Sequence, residues 1–118
     1  MKLQLPLPPS VNHLYGHTRT GIIYKTKEAK EWIQECLWII KSHHGASYKP
    51  TDRILVSIQL FYKDKRKHDI DNILKATFDI LSKESGIIPD DNQIEHLILT
   101  KTTKTNKSEM IIQIEKLV

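Results

Sequence analysis

Cysteine is nearly absent from this chain of 118 residues: Cys36 stands alone. That excludes an intramolecular disulfide framework and leaves a cysteine-based zinc cluster without ligands. Long apolar runs are also missing. The opening Met1-Lys2-Leu3-Gln4-Leu5-Pro6 lacks the core of a signal peptide, and no later segment is apolar for long enough to span a bilayer. A reduced, cytoplasmic setting without membrane contact is therefore expected. The histidines, His13, His17, His43, His44, His68 and His96, show no compact zinc-binding spacing and are expected mostly at the surface. Neither an internal repeat nor an interdomain linker is present, so residues 1–118 are expected to form a single domain. A large excess of either charge is missing as well. Eighteen Lys and Arg against fourteen Asp and Glu give +4, an excess that can steer a polyanion without proving one.

Periodicity supplies the elements. Lys2 to Leu7 alternates polar and apolar residues and reads as a strand stopped by Pro8 and Pro9. Ser10 to Gly21 has loop composition, and Ile22 to Tyr24 reads as a short strand. Thr26 suits a helix cap, since its oxygen can accept a free first-turn amide proton. Behind it Ala29, Trp32, Ile33, Cys36, Leu37 and Ile40 recur at the spacing of one buried helical face, ending near Ser42 to Gly45. Cys36 on that face reads as core packing rather than as a nucleophile. Trp38 falls off the stripe, as a dimer contact or a surface aromatic.

From Arg53 to Tyr62 the alternation is strict, with Ile54, Val56, Ile58, Leu60 and Tyr62 on one face and Ser57 and Gln59 on the other. A second helix is expected from Ile70 to Lys83, with Ile70, Ile73, Leu74, Thr77, Phe78 and Leu81 as its core stripe. Gly86 and Pro89 punctuate the return. Ile94 to Thr103 and Met110 to Leu117 read as strands joined through Lys104-Thr105-Asn106-Lys107, with Asn106 suited to a left-handed position. The expected fold is α+β: a largely antiparallel or mixed β-sheet with two main helices covering one face.

The chemistry concentrates in Lys63-Asp64-Lys65-Arg66-Lys67-His68-Asp69-Ile70-Asp71-Asn72, a basic run ending in two carboxylates where the second helix starts. Lys63, Lys65, Arg66 and Lys67 suit a phosphate backbone, and paired carboxylates suit a metal ion. A bland reading competes, because an Asp at a helix start is usually a cap in the favourable field of the helix dipole. Asp90 and Asp91 shift the balance. A helix from Asp71 to Lys83 travels about 18 Å, while an extended stretch from Lys83 to Asp91 reaches roughly 26 Å, so the chain can return to its starting level. Three or four carboxylates converging beside a basic run are what a hard cation with oxygen ligands requires. Lys75, four residues after Asp71, lies on the same side of the helix, either in a surface ion pair with Asp71 or Asp79 or at a scissile phosphate. Asn72 suits either a ligand-orienting role or a plain first-turn position. Pro8 to Tyr15 joins a stiff backbone to Asn12 and the ring of Tyr15, which suits a nucleic-acid surface or a loop plugged into the core.

Three segments together resemble the RusA family of Holliday-junction resolvases, found in phages and prophages. They are Leu7-Pro8-Pro9-Ser10-Val11-Asn12 with Tyr15, then Lys67-His68-Asp69-Ile70-Asp71-Asn72-Ile73-Leu74-Lys75-Ala76 with Phe78-Asp79, and Ile88-Pro89-Asp90-Asp91-Asn92-Gln93. The resemblance implies a homodimeric endodeoxyribonuclease. Asp69, Asp71 and Asp91 would be its metal-binding carboxylates, Lys75 its catalytic lysine, and Asp90 a neighbouring or alternate ligand. It implies Mg²⁺, with Mn²⁺ as a substitute, four-way junction DNA as substrate, and paired phosphodiester hydrolysis leaving 5′-phosphate and 3′-hydroxyl ends. Two departures stand out. Lys83-Glu84-Ser85-Gly86 is one residue longer than the family's pattern, and Asp64 interrupts the basic run. The alternative is a non-catalytic nucleic-acid-binding protein of phage or prophage origin, which would use the basic run without needing the carboxylates.

Overall fold

The structure is a computed structural model and describes residues 1–9, 15–43 and 50–117. Residues 10–14, with Asn12, and residues 44–49, with Gly45, lie outside the described residues. A four-stranded sheet is built from β1 (Lys2–Leu5), β4 (Ile54–Phe61), β5 (Ile94–Thr102) and β6 (Glu109–Lys116), in the order β1-β6-β4-β5. The strict alternation of β4 places it in the interior: Ile54, Val56, Ile58 and Leu60 are fully buried, while Ser57 and Gln59 face away. Met110, Ile112 and Ile114 of β6 and Leu3 and Leu5 of β1 continue the same apolar face.

Helix α1 (Lys27–Ser42) covers that face as its spacing requires. Thr26 Oγ1 accepts from the Ala29 amide at 3.2 Å, and Ala29, Trp32, Cys36 and Ile40 are buried. Trp32 Nε1 donates to the Pro6 carbonyl at 2.9 Å, tying the helix to the end of β1. Burial pushes the Cys36 thiol up to about 12, so this cysteine is an inert packing group.

The second helix is not one regular element. It opens as a 3-10 turn (Ile70–Ile73), continues as α2 (Leu74–Asp79) and widens into a π turn (Ile80–Glu84). Ile73, Ala76, Thr77, Ile80 and Leu81 are buried, whereas Ile70 is 39% exposed and leaves the expected core stripe. Thr77 needs no outside partner, because its Oγ1 donates to the Ile73 carbonyl at 2.8 Å. Gly86 ends the helix in the left-handed region (φ +70) and donates to the Ser82 carbonyl at 2.9 Å.

Pairing departs from the expectation in three places. Tyr15–His17 (β2) and Ile23–Lys25 (β3) form a small antiparallel hairpin where loop composition hid the first strand. Gly16 faces Tyr24 in it, and an added Cβ would stand 2.3 Å from the Tyr24 ring. Secondly, β5 and β6 are joined in sequence yet not to each other. Both border β4, β6 antiparallel and β5 parallel, so the Lys104–Lys107 segment is a crossover rather than a hairpin turn. Thirdly, the left-handed residue in that segment is Lys104 (φ 58), not Asn106. The parallel pair has a consequence for the site. The second helix must carry the chain back to the start of β4 before β5 begins.

Candidate active site

At the far end of β4 the basic run folds around the residue that interrupts it. Asp64 accepts from the Arg66 amide at 3.1 Å, from Arg66 Nη2 at 3.1 Å, and stands 2.8 Å from His68 Nε2. The hydrogen bond from His68 first, and those from Arg66 next, hold the Asp64 carboxyl below its usual range. His68 also stacks on Tyr62, with ring centroids 3.8 Å apart and planes 10° from parallel. Burial, with Asp64 beside it, raises the Tyr62 hydroxyl above its ordinary value. Backbone straps fix the loop to the β5–β6 crossover: Lys104 N–H donates to Asp64 O, Thr105 N–H to Tyr62 O, and Lys63 N–H to Ser108 Oγ. Asp64 and His68 are organisers that charge counting alone does not reveal, although an acid inside a basic run was the available signal. The loop leaves Lys63, Lys65 and Lys67 exposed and without ion pairs among the described residues, while Arg66 is held by Asp64.

Asp69 and Asp71 follow immediately, both exposed. Asp69 occupies the cap position of the 3-10 turn, yet its side chain makes no capping hydrogen bond. The cap is positional only, and its carboxylate is left over. The Asp71 side chain likewise has no hydrogen bond or ion pair among the described residues. Asp69 and half-buried Asn72 share a cleft with Pro8, Tyr62, Arg66 and His68. Lys101 Nζ, from the end of β5, donates to the His68 carbonyl at 2.7 Å and places that strand end beside Asp69. Lys75 turns toward Asp79, 3.6 Å away, rather than toward Asp71, with Tyr15 of β2 at 6.0 Å from Nζ to ring centroid. It remains 57% exposed at the edge of the site.

Asp90 and Asp91 lie elsewhere. They open the 3-10 turn Asp91–Gln93 just before β5, at the end of the sheet where Ile54 pairs with Ile94. Asp90 is consumed by a capping box: its carboxylate accepts from Asn92 N–H at 3.0 Å while Gln93 Oε1 accepts from Asp90 N–H at 3.1 Å. Gln93 also donates to the Pro50 and Asp52 carbonyls at 3.0 and 2.9 Å. Asp91 is exposed and has no partner among the described residues. From Ile94 to Lys101 the strand advances about 23 Å at ~3.3 Å per residue. One chain therefore sets Asp91 at the opposite end of β5 from Asp69 and Asp71. Among the described residues no group of three or more His, Cys, Asp or Glu side chains stands close enough to hold a metal ion.

Residues 6–115 match the family model for Endodeoxyribonuclease RusA. The chain belongs to the RusA family. It is 30% identical over 111 residues to the crossover junction endodeoxyribonuclease RusA of Aquifex aeolicus, covering 94% of this chain and 85% of that protein. It is 31% identical over 115 residues to the proteins of the same name from Escherichia coli K12 and from Enterobacteria phage 82, covering 93% of this chain and 91% of each. The RusA match runs from the segment after β1 to the penultimate residue of β6, so it takes in the basic loop, the second helix and both acidic segments together. Among the described residues no helix is long and apolar enough to cross a membrane.

Proposed function

We propose that this RusA-family protein is a structure-selective endodeoxyribonuclease of the cytoplasm that resolves four-way DNA junctions as a homodimer, residues 1–118 acting as one nuclease domain. Paired phosphodiester hydrolysis would leave 5′-phosphate and 3′-hydroxyl ends. The observation that carries this is a set of acids left unpaired in a basic protein. The carboxylates of Asp69, Asp71 and Asp91 have no partner among the described residues, while unpaired Lys63, Lys65 and Lys67 stand beside the first two. Exposed carboxylates whose side chains hold no local structure together are free to take a bound cation beside a polyanion.

Asp69, Asp71 and Asp91 are the carboxylates assigned to a divalent cation, Mg²⁺ with Mn²⁺ as substitute. Such an ion supplies Lewis-acid stabilisation at a phosphate. The three do not meet in one chain, whereas the chain's other contributions need no such convergence. Lys63, Lys65 and Lys67 bind the DNA backbone without reading bases. Lys75, exposed and held only by a surface pair with Asp79, swings to the phosphate and stabilises the charge that develops there. Tyr15 lies beside Lys75 and offers a stacking face to an unpaired base at the crossover. Asp90 supports Asp91 by fixing the turn that presents it.

Labelled junction, duplex and single-stranded DNA incubated with Mg²⁺ and either wild type or Asp71→Asn provide the test. Paired incision of the junction by wild type, with binding but no cutting by Asp71→Asn, is the expected result. Equal cutting by both would remove Asp71 from the site. The separation of Asp91 from Asp69 within one chain favours a second reading, a junction-binding protein without activity. Tight junction binding by wild type with no incision in Mg²⁺ or Mn²⁺ would establish it.

A further inference from the structure

Lys75 has two acids within reach along the second helix, Asp71 four residues before it and Asp79 four residues after it. It takes the second. Its Nζ stands 3.6 Å from Asp79 Oδ2, while the Asp71 carboxylate has no partner among the described residues. In an uninterrupted α-helix the opposite choice is favoured, because an acid four residues before a lysine pairs better than one four residues after it. We infer that Asp79 is a positioning residue that draws Lys75 away from Asp71, keeping the Asp71 carboxylate open for its cation and the lysine in reserve for the phosphate. This rests on the assignment of Asp71 as a cation ligand and of Lys75 to the phosphate.

The backbone explains the choice. Asp71 lies in the 3-10 turn Ile70–Ile73, where each residue turns the chain by about 120° rather than about 100°. Two such steps set Asp71 about 80° around the axis from Lys75, against about 40° between Lys75 and Asp79 within α2. Asp79 is also the better-fixed partner, its side chain 21% exposed. Its other oxygen, Oδ1, faces Lys83 Nζ at 3.9 Å, so the acid keeps a counter-charge when Lys75 leaves. The Tyr15 ring near Nζ belongs to a hairpin that is itself tied to the helix: Lys25, opposite Tyr15 across β2 and β3, stands 2.6 Å from Glu84. A pair at 3.6 Å that involves an exposed lysine is a weak tether. The charge-assisted bonds of a phosphate can replace it.

A double-mutant cycle tests the tether without metal. Asp79→Asn releases Lys75 and Lys75→Met removes it. The Asp71 carboxyl-carbon resonance is followed by NMR near neutral pH in wild type, both single variants and the double variant. Lys75→Met is expected to leave that resonance in place when Asp79 is present and to move it when Asp79 is replaced, because only then does the lysine lie on Asp71. Equal shifts in the two backgrounds, or no shift in either, overturn the tether. Mn²⁺ binding, read by electron paramagnetic resonance without DNA, then reports the consequence. Asp79→Asn should bind Mn²⁺ roughly threefold more weakly than wild type, the effect of one surface ion pair formed on Asp71. Lys75→Met should restore the affinity in that background while changing wild type less. A loss that Lys75→Met fails to restore, or restores by no more than it raises wild type, overturns the inference. A coupled Asp71 resonance in a protein whose Asp71→Asn variant binds Mn²⁺ like wild type would leave the tether standing and defeat the assignment of Asp71 as a ligand instead.

Discussion

At the start of β5 two adjacent aspartates have divided roles: Asp90 is tied into a capping box, and Asp91 beside it is free. At the strand's other end the division is repeated over a longer span. Asp64 is tied to Arg66 and His68, while Asp69 occupies a cap position without capping. Each end thus uses one acid to hold backbone in place and leaves others projecting. The lesson is that an acidic residue's role is read from what already satisfies it rather than from its position in a motif. The bonded acids answer for local structure, and the unbonded ones are available for a ligand.

The sharpest way to break this comparison is to exchange the neighbours' fates. Asp91→Asn should lower junction cutting by on the order of 100-fold or more while thermal stability stays unchanged. Asp90→Ala removes the cap and should cost about 1 kcal/mol, with a loss in cutting much smaller than that of Asp91→Asn. Melting curves and cleavage rates on both proteins check this. A stability loss in Asp91→Asn larger than in Asp90→Ala would reverse the assignment of the two side chains.

The basic loop offers a gentler contrast between bonded and unbonded charges. Lys63→Gln, Lys65→Gln and Lys67→Gln should each flatten the dependence of log affinity on log salt by about 0.9 for every phosphate left unneutralised. Arg66→Gln should flatten it less, because its guanidinium is already held by Asp64. Junction binding over a range of salt concentrations measures the slopes. Equal slopes for Arg66→Gln and the lysine variants would show that the Asp64 pair opens on DNA.

Local pattern made most elements legible and left their arrangement unread. The alternation of Ile54, Val56, Ile58 and Leu60 and the stripe of Ala29, Trp32, Cys36 and Ile40 are set by which face is buried, so they survive in the sequence. The hairpin of β2 and β3 did not, since Gly16 and the flanking polar residues mimic loop composition while Tyr24 covers Gly16 from across the pair. Nor could periodicity say that β5 runs parallel to β4, which depends on contacts distant in the chain. That choice misdirects the reach calculation for Asp91. An extended stretch from Lys83 has the length to return to Asp71, but Ile88 N–H donates to the Leu81 carbonyl at 3.1 Å and the chain turns under the helix instead. All the proposed site residues were legible as residue types; the end of the sheet on which each would stand was not.

The smallest effect tests how far Asp64 orders the loop that carries the lysines. Its carboxyl is lowered from 3.8 by the hydrogen bond with His68 and then by Arg66. A lowered folded value means that the contribution is complete above pH 3.8 and is lost as pH falls through the lowered value. The group is exposed, so the change should be local rather than a global melt. Amide resonances of Arg66 and His68 followed by NMR down through this range should shift together as the hydrogen bonds release, ahead of those in β4. In Asp64→Asn the same resonances should lack that step, and the protein should bind junctions with a modestly altered affinity because its lysines are less fixed. Concerted movement of β4 with the loop would make Asp64 part of the global fold and remove the distinction between an acid that orders a loop and one that holds the core.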